Sequence, residues 1–263
     1  MESIIKSREY EIKENGEQVM IRQFIYKLHI DKGINLKAED GYLIYSSLME
    51  QFPAEFAEYV HDSQISPVYH YISRKRDGLI WTVSFVGDKA SRYADCYFGR
   101  ISALRLKKYS CNVRLELLEK KSIDTVEEMF FNSIKLTKSV DVEFVTPCAF
   151  KSNGEYNSIP TVPLIIKSII TKWNACFPEC IIEDETGGNF QVLADDVRIT
   201  RYDIRSTPFK LKGVTMIGCT GRMTLTCNAE GFHKELFDML MYFGSFIGIG
   251  IKGSLGMGGV RIR

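Results

Sequence analysis

No stretch of this chain is apolar for long enough to cross a membrane as a helix, and the amino-terminal MESIIKSREYEIKENG is too charged for a secretory signal. A cytoplasmic protein is the expectation. A charge excess is missing too: 34 Lys and Arg stand against 33 Asp and Glu. Any hold on a polyanion must therefore come from local clusters, not from bulk attraction. Histidine is scarce, with four residues, and none is spaced with cysteines as a zinc site requires. The seven cysteines are an odd number, and the nearest pair, Cys176 and Cys180, has three residues between its members instead of two. Reduced, mostly buried thiols are expected, with no metal and no cofactor.

What the sequence does have is GIGIKGSLGMGG at 248–259. Gly248, Gly250 and Gly253 stand at G-x-G-x-x-G spacing, but a dinucleotide fingerprint needs a helix and a further acid-bearing strand downstream, and here only Val260 to Arg263 follow. A phosphate-binding P-loop places its lysine after the last glycine, whereas Lys252 precedes Gly253. Neither reading fits.

Charge is segregated along the chain. Residues 183–188 (EDETGG) and 194–196 (ADD) hold five carboxylates without a cation, while basic residues gather at 73–76, at 105–108 and through 198–212. The pattern of elements is clearer. Residues 22–30 alternate, with Phe24, Tyr26, Leu28 and Ile30 on one side and Ile25, Lys27 and His29 on the other, as in a half-buried strand. GYLIYSSLMEQ and AEFAEYVH form two short helices broken at Pro53, the second ending near His61. A hairpin follows across Asp77-Gly78, then a helix over 88–98, two strands, and a bridging helix over 122–138. The second half runs strand, helix, two strands, a helix capped by Asn228 with Phe232, Leu236, Met239, Leu240 and Phe243 on one stripe, and a last strand. The fold class expected is α+β, with two tandem ferredoxin-like β-α-β-β-α-β modules at 1–125 and 126–263.

Among the histidines, His233 reads as surface or packing, and His70 as packing between Tyr69 and Tyr71. His29 lies on the polar face of the first strand, where it can touch a ligand. His61 closes a helix, and a helix carboxyl end favours an imidazolium suited to acid-base work.

Gly248 to Gly258 reads glycine-hydrophobic-glycine, a five-residue span with Lys252, then glycine-hydrophobic-glycine. This resembles the signature loop of the CRISPR-repeat-processing endoribonucleases of the RAMP superfamily. LIYSSLMEQFPAEFAEYVHDS at 43–63 is similar to that family's helix pair ending in a histidine. The resemblance covers essentially the whole chain. It implies metal-independent cleavage of precursor CRISPR RNA within its repeats, by 2′-hydroxyl attack leaving a 2′,3′-cyclic phosphate and a 5′-hydroxyl. By position it implies His61 as the acid-base residue and Tyr45 as its helper, although Tyr45 shares a stripe with Leu48, Met49 and Phe52 and reads equally as core. Some members carry a lysine shortly after the histidine; none stands here between Asp62 and Ser73, leaving Arg74, Lys75 or Arg76 as substitutes. Lys252, Gly250, Gly253 and Ser254 are the RNA-binding candidates in the loop, joined by His29. A non-catalytic repeat-RNA-binding subunit on the same fold is the alternative. Association with a guide-RNA effector complex, and a monomer or homodimer state, stay open.

Overall fold

The computed structural model describes residues 21–263 except 32, 134–136, 153, 183–188 and 212. In chain order the elements are β1 (Ile21–His29), α1 (Gly41–Met49), α2 (Ala54–Asp62), β2 (Val68–Lys75), β3 (Gly78–Val86), α3 (Asp88–Tyr97), β4 (Ala103–Leu106), β5 (Cys111–Ile123) and α4 (Val126–Ser133). Then come β6 (Ser139–Cys148), β7 (Phe150–Ser152), β8 (Glu155–Asn157), α5 (Val162–Cys176), α6 (Asn189–Asp195), β9 (Val197–Leu211), β10 (Val214–Cys227), α7 (Gly231–Ile247) and β11 (Val260–Ile262).

One sheet has the order β2-β3-β1-β5-β4 and a second β11-β6-β10-β9. Reversed, the second is β9-β10-β6-β11, which matches β2-β3-β1-β5 strand for strand. All pairings are antiparallel. Each sheet is thus a ferredoxin-like sheet, the first widened by the edge strand β4. A small hairpin, β7 with β8, stands apart.

The alternation of β1 is realised: Phe24, Tyr26 and Leu28 are buried against the helices of the first sheet, and a bulge falls between Ile25 and Tyr26. In contrast, β2 and most of β3 are buried on both faces. Val68, Ile72, Trp81, Val83 and Phe85 turn toward α1, α2 and α3, while Tyr69 and Tyr71 join the core built around α5 and α7. The first sheet is therefore a middle layer, with its own helices on one side and part of the second module on the other.

Along the helix pair, Phe52, Phe56 and Val60 recur every four residues and are buried, so each contributes about 1.5–3 kcal/mol of apolar burial. His61 lies about 100° further round α2 and is exposed.

Three sequence expectations need correction. The bridging helix starts at Val126 and not at Ser122, because β5 continues to Ile123, where its register with β1 ends at Ile21; it is described to Ser133. Helix α7 is capped at Glu230 and not at Asn228, and its cap makes no side-chain hydrogen bond. Phe232 leaves the apolar stripe and is exposed, since at the first turn it precedes the buried run that starts at Leu236. The acidic stretch 183–188 lies outside the described residues.

Candidate functional site

The glycine segment leaves α7 at Gly248, whose φ of 69° is one that L side chains rarely adopt. It returns to β11 after a single 3₁₀ turn over Gly253–Leu255. Its glycines are explained chiefly by two tyrosines of β2. A Cβ on Gly248 would lie 2.1 Å from Tyr69 Cζ, and one on Gly253 would lie 2.2 Å from Tyr69 Cδ2. Gly259 stands likewise against Tyr71, at 2.5 Å from Cγ. The loop is wrapped around the Tyr69 ring, whose hydroxyl donates to Met257 O at 3.3 Å. Burial pushes that phenol well above its ordinary pKa, so it stays a neutral donor.

Most of the loop's own amides are consumed in closing it. Ile249 N-H bonds Gly258 O, Ile251 N-H bonds Ala149 O, and Gly258 N-H bonds Pro147 O. Gly250 N-H donates to Ser168 Oγ at 2.9 Å and Gly259 N-H to Thr146 Oγ1 at 2.8 Å. Among the described residues no protein acceptor is bonded to the N-H of Lys252, Gly253 or Ser254. Lys252 itself is left-handed, with φ 55° and ψ 36°. Three consecutive free amides beside an exposed ammonium make a small anion-binding rim. Gly250 serves its closure.

The rim opens on a cleft of about 550 Å³. One wall is Gln64 to Ser66, the chain just after His61 and α2; the opposite walls are α5, the start of the β7 hairpin and the loop. Among the described residues four lysines line it, Lys151, Lys167, Lys172 and Lys252, and no carboxylate does. Tyr45 approaches from the first module. Its ring stacks on His70 at 5.9 Å, and its phenol, raised by burial, lies beside the Ser66 hydroxyl on the cleft wall.

His70 is fully buried, and its Nε2 lies 2.9 Å from the Ser254 carbonyl oxygen. It ties β2 to the loop as the neutral ring donating through Nε2. Burial lowers its pKa from 6.5 to about 4. Between those values the unfolded chain binds the extra proton, so stability is full above pH 6.5 and falls as pH drops toward 4. The expected loss is on the order of 3 kcal/mol, and His70→Gln, which keeps a donor, should flatten that slope in urea melts recorded from pH 7 to 4.

The remaining sequence candidates lie elsewhere. Arg74 lines a second cleft of about 680 Å³ between the two sheets, with Lys37, Arg205, Arg222 and Arg261 against Glu143 and Asp203. Arg261 there bonds Ser73 and pairs with Glu143. Lys75 and Arg76 are exposed at the β2–β3 turn. His29, at the end of β1, is engaged by Glu116 of β5. Neither Lys75, Arg76 nor His29 lines either cleft. Sequence reading passed over Lys151, Lys167, Lys172 and Ser168; the one available signal was Lys172, a charge on the buried stripe Ile165, Ile169 and Trp173 of α5. Among the described residues, no group of three His, Cys, Asp or Glu side chains could hold a metal ion, and no helix is long and apolar enough to cross a membrane.

Paired antiparallel sheets of matching strand order, with a glycine loop closing the second onto the first, define a protein of two tandem ferredoxin-like modules. A family model described as CRISPR-associated endoribonuclease Cas6 matches residues 142–260, which hold the second sheet and the loop. A Mycobacterium tuberculosis protein of that name is 28% identical over 226 residues, covering 84% of this chain and 70% of its own. One from Streptococcus thermophilus is 28% identical over 245 residues, covering 88% and 95%. In fold, a Thermus thermophilus Cas6 superposes with a TM-score of 0.68 at 16% identity, over 94% of this chain and all of that one. The chain is similar to the CRISPR-associated endoribonucleases named Cas6, by family model over its second module and by sequence over most of its length.

Proposed function

We propose that this chain cleaves precursor CRISPR RNA within its repeats, without a metal, and that the lysine-lined cleft beside the glycine loop seats the scissile phosphate. The observation that carries the reading is the cleft's composition among the described residues: four lysines, no carboxylate, and the three unbonded amides of Lys252, Gly253 and Ser254 on its rim. Solved relatives include Cas6 complexes with product and with a substrate mimic. The division into modules at 1–125 and 126–263, and work in the cytoplasm on a transcript, belong to the same proposal.

In the reaction, the ribose 2′-oxygen attacks the adjacent phosphorus as its proton is withdrawn. The P–O5′ bond breaks, the 5′-oxygen takes a proton, and a 2′,3′-cyclic phosphate remains. His61 is assigned the proton transfers, being exposed at the helix end that leads into the cleft wall. Tyr45, whose phenol burial keeps neutral, acts as a donor beside it. Lysines of the second module supply the charge for the phosphorane that the segment after His61 lacks. Arg74 and its neighbours in the second cleft take phosphates further along the strand. Lys75, Arg76 and His29 are left with peripheral contacts.

Incubating the protein with its own genome's repeat RNA in EDTA tests the reading: products should end in a cyclic phosphate and begin with a 5′-hydroxyl. Uncut RNA, or 3′-hydroxyl ends, would refute it. Lys252→Ala should weaken repeat binding several-fold and lower the slope of log affinity against log salt by about 1, as befits one phosphate contact.

A further inference from the structure

Helix α5 holds the glycine loop through two side chains one turn apart. Ser168 accepts the Gly250 N-H, and Lys172 Nζ donates to Gly248 O at 2.9 Å and Ile247 O at 3.3 Å. These two carbonyls end α7, so Lys172 caps the negative end of that helix dipole. Only 8% of Lys172 is exposed, and its ammonium forms no ion pair among the described residues.

The groups packed round it supply no compensating charge. From β2 comes Tyr69, with the ammonium 5.8 Å from its ring centroid; from the end of β6 comes Cys148; from α5 itself comes Cys176. Burial raises all three, Cys176 to about 12, so each is neutral at physiological pH. Among the described residues the other charges on the cleft, Lys151, Lys167 and Lys252, are of the same sign. A buried cation without a counter-ion is costly, and here it stands on the wall of a cleft open to an anion.

We infer that Lys172 is a positioning residue for RNA cleavage: it fixes the start of the glycine loop, and the phosphodiester that docks in the adjoining cleft completes its charge. The inference rests on the proposed function above. Desolvation lowers the Lys172 pKa from 10.5 to about 8 in the free protein, and a bound phosphate raises it again. RNA binding above pH 8 is therefore coupled to proton uptake, and affinity declines as pH rises.

The test is single-turnover cleavage of the repeat RNA in EDTA, with the half-saturating protein concentration and the maximal rate measured separately from pH 7 to 9.5. For the wild type the half-saturating concentration should rise roughly tenfold across that range. Lys172→Met should raise it about tenfold at pH 7 and abolish its pH dependence, while Lys172→Arg should restore affinity and hold it constant with pH. A wild-type value that stays flat with pH overturns the inference even if the methionine variant does not fold. So does a folded Lys172→Met that binds like the wild type. Absence of any wild-type cleavage overturns the functional reading instead.

Discussion

His61→Ala lowers the single-turnover cleavage rate by about 10²–10⁴-fold while repeat-RNA affinity stays within about threefold, the range a positioned acid-base group supplies. The side chain is exposed and one step round the helix from the buried Val60, so truncating it removes no core contact. The folded state should be unaffected, and melting temperatures of variant and wild type should agree within about 1 °C. Tyr45→Phe gives a smaller loss of rate, because the ring that stacks on His70 is kept and only the hydroxyl beside Ser66 goes. Gel-shift and cleavage assays on one labelled repeat separate the outcomes. Undiminished cutting by His61→Ala removes this residue from the mechanism. A wild-type protein that binds and never cuts supports the non-catalytic subunit instead.

Gly258→Ala destabilises the protein by roughly 3 kcal/mol or more, which for a chain of this length lowers the melting temperature by about 6–12 °C. Two causes add. At φ 67° an alanine is strained by about 1–2 kcal/mol, and its Cβ would stand 2.1 Å from the Ile249 carbonyl oxygen, a backbone atom with no rotamer to yield. Relief requires breaking the Ile249–Gly258 hydrogen bond at the neck of the loop. Gly154→Ala is the matched control: φ is 83°, also positive, but nothing lies within 4 Å of the added carbon. It should lose only the strain component. Equal melting temperatures for the two variants would show that the loop neck gives way without cost.

The ordering of strands and helices was legible because β1 alternates cleanly, the helices keep their apolar period, and Asp77-Gly78 marks the first hairpin. The limits were equally physical. Strands β2 and β3 are buried on both faces, so their sequence carries no sign of which residues meet which module. Tyr69, His70 and Tyr71 read as ordinary packing, yet the partners that give them meaning lie 184 or more positions away, at Ser254, Met257 and Val260. The glycine loop was conspicuous, but its composition alone could not tell a phosphate cradle from a sleeve for an aromatic ring. It is mainly the second, with a narrow remnant at 252–254 free for the first. Lysines 151 and 167 carry no local pattern and acquire a role only when α5 and the β7 hairpin are folded against the loop.

Tyr69 is synthesised long before the glycines that enclose its ring. A ribosome-bound chain that has already paired β2 with β3 must therefore carry an unsheathed aromatic pair, Tyr69 and Tyr71, through the translation of nearly all of the second module. Slow decoding within that stretch prolongs the interval in which the nascent polypeptide is open to proteolysis or self-association. Enclosure of that ring pair must follow translation of the late glycines.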